Sequence, residues 1–275
     1  MDKASGLYKN IHLFFAGVYS LFQQHVVRRW KKRPTGDWIG IFGGYLWIMK
    51  QEDNFLKYHV VEPCIKAEPT ESPADKKAEI EDCSHYEQML KDYFQLDVDL
   101  ESLYQQWSLA DPNFQKIAKN YVGVRMLRQD PVENLFAFIC SSNNNIQRSV
   151  FLVVNIIPFM CVIVFPWNAI PRITGMVEKL CQNYGSQLLT HEDVTYYAFP
   201  PIEALSDEKV ESKLRTLGFG YRAKFIQQSA AKILKNGGRD WLMSLRKVTY
   251  PEAKTALMTL PGIGAKVFEY LLAAV

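Results

Sequence analysis

Leu260-Pro261-Gly262-Ile263-Gly264-Ala265-Lys266-Val267 reads as a tight turn between two helices. Ahead of it, Thr249 with Glu252 three residues on forms a capping box, and Pro251 sits in the first turn, so a helix is predicted from here to Leu257. Pro261 ends that helix, because proline cannot continue the ladder and biases Leu260 away from helical dihedrals. Gly262 and Gly264 flank one apolar residue and let the backbone make a hairpin and approach another surface closely. From Ala265 to Val275 an apolar helix resumes. The N–H groups around Gly262, Gly264 and Val267, at the start of that second helix, form a seat for an anionic oxygen.

Bulk properties set loose bounds on the rest. The 275 residues leave room for one large or two modest domains with a real core. A net charge of +3 permits a nucleic-acid partner without demanding one. The five cysteines (Cys64, Cys83, Cys140, Cys161, Cys181) are widely spaced and contain no C-x-x-C pair. Free thiols in a reducing compartment follow, with no zinc or iron–sulfur site. The five histidines are equally scattered, so no metal held by side chains is expected.

Along the chain, residues 1–27 form an atypical apolar segment, with Lys3 and Lys9 ahead of Ile11 to Tyr19. It has the look of a weak targeting segment, but its apolar run is short and holds a histidine. Arg28 to Arg33 is a basic run, a solvated face or a phosphate-contacting patch. Within 28–63, Trp38 to Phe42, Tyr45 to Met49 and Phe55 to Val61 are rich in aromatic and β-branched residues and separated by turn signals, which predicts a small antiparallel meander. Residues 64–83 are rich in Pro, Glu, Lys and Ala and read as a linker or long surface loop.

After Ser84 the period turns helical, with Tyr86, Met89, Leu90, Tyr93 and Phe94 on one stripe. Asp111-Pro112 and Asp130-Pro131 each pair an N-cap with a proline at the first helical position. The second of these helices runs through Leu135 to Cys140 and should be buried, ending in the polar cluster Ser141 to Asn145. Further helices are expected from Arg172 to Cys181, after Ser206-Asp207-Glu208, from Tyr221 to Leu234 and from Asp240 to Leu245. Between them, residues 149–171 carry no charge until Arg172 and qualify by length as a membrane-span candidate, interrupted by Asn155, Pro158, Pro166 and Asn168.

Several blocks together carry a family resemblance: Tyr93-Phe94-Gln95-Leu96-Asp97, Leu127-Arg128-Gln129-Asp130-Pro131, Ser141-Ser142-Asn143-Asn144-Asn145-Ile146, Arg172-Ile173-Thr174-Gly175-Met176-Val177-Glu178 and Leu217-Gly218-Phe219-Gly220-Tyr221-Arg222-Ala223. With the hairpin, they resemble the eukaryotic 8-oxoguanine DNA glycosylases of the helix-hairpin-helix endonuclease III-like family, over residues 28–148 and 172–275. The implied fold class is α+β, mostly α: a small N-terminal antiparallel sheet followed by a helix-hairpin-helix glycosylase domain over 84–148 and 172–275, interrupted by an apolar insertion at 149–171.

The resemblance implies base excision repair on double-stranded DNA containing oxidised guanine opposite cytosine. Lys266 would be the nucleophile that attacks C1′, with β-elimination following at the abasic site. Asn143 is similar to the residue that fills the gap beside the estranged cytosine, Tyr221 to the wedge in the stack, and Arg222 to one of two arginines reading that cytosine. The second arginine stays open: Arg148 matches by count, whereas Arg172 carries the Ile-Thr-Gly that follows it in the family. Each has a plainer alternative: a turn residue for Asn143, a packing residue for Tyr221 and a surface charge for Arg222. No organic cofactor is implied, although the family's hairpin can hold a monovalent cation through backbone carbonyls. A monomer in the nucleus, and also in the mitochondrion, is expected.

The chain departs from the family in four places. The insertion lies inside the DNA-reading loop, and is expected to be a translated intron rather than a membrane span. The family's strand before the sheet survives only as Arg29-Trp30, and Tyr270 stands where a pocket cysteine is expected. The sequence stops at Val275, ahead of the family's catalytic aspartate, so base excision is expected to be crippled. Two alternatives follow: a helix-hairpin-helix fragment that only binds DNA, with Lys266 a solvated charge, or a membrane-anchored protein spanning at 149–171.

Overall fold

Among the described residues, a five-stranded antiparallel sheet, a two-stranded hairpin and a set of helices make up the regular structure. The computed structural model describes residues 9–12, 29–52, 55–61, 75–120, 123–125, 127–142 and 169–264. The elements in order are β1 (Lys9–His12), β2 (Trp30–Lys32), β3 (Trp38–Phe42), β4 (Tyr45–Glu52), β5 (Phe55–Val61), α1 (Asp75–Phe94), α2 (Leu100–Ala110), α3 (Pro112–Ala118), α4 (Pro131–Ser141), α5 (Ala169–Tyr184), β6 (Gln187–His191), β7 (Val194–Tyr197), α6 (Ile202–Ser206), α7 (Glu208–Thr216), α8 (Arg222–Lys235), α9 (Gly238–Ser244), a 3-10 turn (Leu245–Lys247) and α10 (Tyr250–Met258). Their contacts group into two units. The first takes the residues up to Arg128 with Leu188–Tyr196, and the second takes Gln129–Gln187 and everything from Tyr197 on.

In the first unit the sheet order is β1-β5-β4-β3-β2. The predicted meander is present as β3, β4 and β5, in the register Trp38 opposite Met49 and Met49 opposite Tyr58. Alternation splits its side chains between two covered faces, which is why the strands read as continuous apolar runs. Trp38, Trp47, Met49, Leu56 and Tyr58 pack under the α1 stripe of Tyr86, Leu90, Tyr93 and Phe94. Ile39, Leu46 and Ile48 pack on the other side under Leu189 and Tyr196. Gly40 is required by close approach: a Cβ there would lie 2.5 Å from the Trp30 indole, which it seats. That indole N–H donates to the Tyr93 hydroxyl at 3.3 Å.

The second unit is helical around one core. Val132, Leu135, Phe136 and Ile139 of α4 meet Ile173, Met176 and Leu180 of α5, Leu214 of α7, Ala223, Ile226, Ala230 and Ile233 of α8, and Leu257 of α10. The caps read from sequence are in place. The Asp111 carboxylate accepts from the Asn113 N–H, and that of Asp130 from Val132 and Glu133. Cys140 and Cys181 are buried, and the other three cysteines fall outside the residues whose side chains are described.

Several expectations are revised. The linker expected over 64–83 gives way to helix from Asp75; Lys77-Ala78-Glu79-Ile80-Glu81 are good helix formers, so composition alone misled there. The N-terminal segment supplies β1, which fills the outer edge of β5. The helices of 84–118 group with the sheet rather than with the helical unit, because the α1 stripe is the sheet's cover. Ser206 ends α6, and Asp207 caps α7 instead. The β6–β7 hairpin had no counterpart in the sequence analysis. Its turn residues Glu192 and Asp193 both hold positive φ, 48° and 61°, the dihedrals of a two-residue hairpin usually supplied by Asn or Gly. Ala169 to Pro171, assigned to the insertion, are the first turn of α5. The rest of that insertion lies outside the described residues, and no helix among the described residues is long and apolar enough to cross a membrane.

Candidate functional site

The predicted hairpin begins as the sequence implies. The Glu252 carboxylate accepts from the Thr249 N–H at 2.9 Å and from its hydroxyl at 2.8 Å, closing the capping box of α10. These bonds, the hydroxyl's first and the amide's second, hold the Glu252 carboxyl below its ordinary range. At the other end Leu260 N–H donates to the Leu257 carbonyl at 3.0 Å and Ile263 N–H to the Leu260 carbonyl at 3.2 Å, so the chain turns at once. Gly262 has φ +84°, and a Cβ on it would lie 2.9 Å from the Phe225 ring. Both facts require glycine there. Gly264 is exposed, with nothing near its missing Cβ. It is thus the open side of the turn, and only Gly262 is a conformational necessity. Lys266 and Val267 lie outside the described residues.

The turn rests on α8. Phe225 lies under Gly262, the Ser229 hydroxyl donates to the Pro261 carbonyl at 2.9 Å, and the Lys232 ammonium donates to the Thr259 carbonyl at 2.8 Å. None of these three supports was picked out from the sequence. A serine and a half-buried lysine in an amphipathic helix carry no local signal, and only the fold brings the turn over them.

The N-terminus of α8 carries the second cluster. Gly218 and Gly220, at φ +91° and +60°, shape the loop that delivers Tyr221 and Arg222 to the helix start. Tyr221 is exposed at 41% of its surface, its ring edge-on to Phe225 with centroids 5.8 Å apart. Arg222 is only 3% exposed, its guanidinium 4.7 Å from the Tyr221 ring centroid. Both side chains donate to one acceptor, the Ser142 carbonyl, at 3.0 Å from the Tyr221 hydroxyl and 2.6 Å from Arg222. Ser142 caps the C-terminus of α4, where a cation complements the helix dipole. It is also the residue before Asn143.

Burial pushes the Arg222 guanidinium below its ordinary value and Tyr221 opposes that. The positive charge of Arg172 adds to the lowering, which places Arg172 within electrostatic reach of Arg222. The structure therefore brings Tyr221 and Arg222 together at the end of α4. The surface-charge alternative for Arg222 does not hold. Asn143 and Arg148 lie outside the described residues. Among the described residues no group of three or more His, Cys, Asp or Glu could hold a metal. The carbonyls of Thr259, Leu260 and Pro261 each already accept a hydrogen bond from the chain.

The chain has relatives among known proteins. Residues 22–135 match the family described as 8-oxoguanine DNA glycosylase, N-terminal domain. The chain is 34% identical over 243 residues to N-glycosylase/DNA lyase OGG1 of Arabidopsis thaliana, covering 87% of this chain and 55% of that protein. It is 35% identical over 198 residues to N-glycosylase/DNA lyase of Saccharomyces cerevisiae, covering 68% and 46%. The chain thus spans about half the length of the relatives it matches. In fold it is similar to MBOgg1, solved in complex with a low-affinity DNA ligand, with a TM-score of 0.72 at 24% identity over 97% of this chain and 76% of that one.

Proposed function

We propose that the chain is a member of the 8-oxoguanine DNA glycosylase family, a reading its matches support, and that it acts in base excision repair on duplex DNA bearing 8-oxoguanine opposite cytosine. The observation that carries this is the turn at Leu260–Gly264, tight, glycine-dependent at Gly262 and open at Gly264, two residues ahead of Lys266. The hairpin grips the phosphate backbone through N–H groups around Gly262, Gly264 and Val267. Tyr221 wedges into the stack while the target base is turned out. Asn143 fills the gap, and Arg222 reads the estranged cytosine with either Arg148 or Arg172.

The chemistry assigned to Lys266 is covalent. Its neutral amine attacks C1′, and the glycosidic bond breaks with its electron pair leaving on the base. The amine nitrogen then loses a proton as the C1′–O4′ bond opens, giving a Schiff base. That Schiff base acidifies the C2′ proton, whose loss expels the 3′ phosphate by β-elimination. An ordinary lysine is protonated, so the amine must be freed. Placement near a helix start and partial burial would both disfavour the ammonium form. No organic cofactor is needed. The Lys232 ammonium on the Thr259 carbonyl supplies positive charge to the hairpin. A monomer working in the nucleus and in the mitochondrion suits this task.

A second reading is DNA binding without chemistry, in which the glycine-dependent turn at Leu260–Gly264 only grips the backbone. Borohydride trapping separates the two. The chain is incubated with an 8-oxoguanine:cytosine duplex or an abasic-site duplex, beside Lys266→Gln. A Lys266-dependent adduct on both duplexes is the expected result for a complete enzyme. An adduct on the abasic duplex alone leaves the lyase step without excision. No adduct on either, with duplex binding retained, establishes the binding reading.

A further inference from the structure

The contacts between α8 and the Leu260–Gly264 turn lie on one stripe. Phe225, Ser229 and Lys232 are four and three residues apart, the spacing that stacks side chains on one helix face. Each engages backbone of the hairpin: the Gly262 Cα, the Pro261 carbonyl and the Thr259 carbonyl. Contacts to backbone fix a turn whatever side chains it carries. Ser229 is fully buried beside Ala230, Ile226 and Ile233, where a hydroxyl is tolerated only if it is hydrogen-bonded. Its bond to Pro261 meets that need. Lys232 sets its charge at the C-terminal end of α10, where carbonyls have no partner in the helix and the dipole is negative. Packing alone would ask for neither residue, since the neighbouring Ala230 and Ala231 show that small apolar side chains suit this helix.

We propose that Ser229 and Lys232 are positioning residues: they pin the turn to α8 and so set the aim of Lys266, which follows Gly264 by two residues. This rests on the lyase role proposed for Lys266. It also makes α8 a shared strut, because its first turn carries Tyr221 and Arg222 and its later turns hold the hairpin. Tyr221 and the turn that precedes Lys266 are thereby tied to one helix.

The test pairs a local readout with a chemical one on the full chain. Hydrogen–deuterium exchange without DNA is compared for wild type, Ser229→Ala, Lys232→Met and Lys232→Arg. In parallel, the single-turnover rate of borohydride trapping is measured on an abasic-site duplex. The Leu260 and Ile263 amides should exchange roughly 5- to 10-fold faster in Ser229→Ala and Lys232→Met, the effect of losing one hydrogen bond, while α4 and α9 amides are unchanged. At saturating duplex, trapping should slow several-fold in Lys232→Met, and Lys232→Arg should restore both the rate and the slow exchange. Unchanged exchange at the turn, or an equal rise across α4 and α9, overturns the proposal, because the two residues would then be ordinary contributors to stability. The local exchange pattern without any wild-type adduct supports the tether and instead defeats the lyase reading, so the two failures are distinguishable.

Discussion

Single residues in the second unit divide into those that shape backbone and those that present chemistry, and mutation should tell them apart. Gly262→Ala meets two obstacles, the positive φ and the Phe225 ring. It should lower stability by about 1–3 kcal/mol, the usual cost of a strained backbone position. The double variant Gly262→Ala/Phe225→Ala should not recover it, because removing the ring leaves the dihedral strain and adds a cavity. Urea midpoints decide this, and full recovery would show that steric contact alone required the glycine. Tyr221 and Arg222 should behave oppositely despite being adjacent. Tyr221→Ala removes an exposed ring and should shift stability by less than about 1 kcal/mol, whereas Arg222→Ala empties a buried site and should cost about 1–3 kcal/mol. Equal losses in thermal melts would contradict the burial difference. The helix start at Tyr221 was legible from sequence because its neighbours Gly218 and Gly220 mark the turn, whereas its role came only from the family resemblance. The burial of Arg222 was not, since an arginine at a helix start looks solvated until another helix end is placed against it.

Helices that carry their own caps were the elements best read in advance. Asp111-Pro112, Asp130-Pro131 and Thr249 with Glu252 each encode their start locally, and the structure fulfils all of them. The β6–β7 hairpin was missed because Glu192-Asp193 adopts its turn without the glycine or asparagine that usually announces one. The α10 capping box has a pH signature. Hydrogen bonds from Thr249 lower the Glu252 carboxyl below its ordinary 4.5, so its contribution is complete above about pH 4.5 and fades as pH falls through the lowered folded value. Glu252→Gln keeps an accepting oxygen but cannot titrate, so the stability difference between wild type and this variant should be constant above pH 5 and shrink below pH 4. Urea midpoints measured from pH 3 to 7 provide the check, and a difference independent of pH would remove the carboxylate's charge from the account.

At the scale of the whole molecule, the chain does not fold as a string of contiguous parts. Residues Leu188–Tyr196 leave the helical unit's sequence and belong with the sheet, so the first unit is built from two separated segments. Sequence could not show this. Leu189 and Tyr196 alternate as in any exposed hairpin, and nothing local says that the far face of Ile39, Leu46 and Ile48 awaits them. That face was legible only as a surplus, since β3 and β4 are apolar on both sides whereas a sheet with one solvated face would alternate with polar residues. The consequence is testable by cutting the chain where its contacts divide. A fragment of residues 1–128 keeps all five strands and α1 but loses the cover on Ile39, Leu46 and Ile48, each no more than 5% exposed in the full chain. Leu189 and Tyr196 are half-buried, so each cover residue contributes on the order of 1 kcal/mol by area removed from water. The fragment should therefore bind an apolar dye, melt at lower temperature than the tryptophan-reported transition of the full chain, and self-associate. Adding a peptide of residues 186–199 at high concentration should reduce dye binding, because the missing cover is a single hairpin. A fragment of 1–128 that stays monomeric, excludes the dye and melts with the full chain would mean that the hairpin merely rests on the sheet, and that the sheet and α1 alone make a complete core.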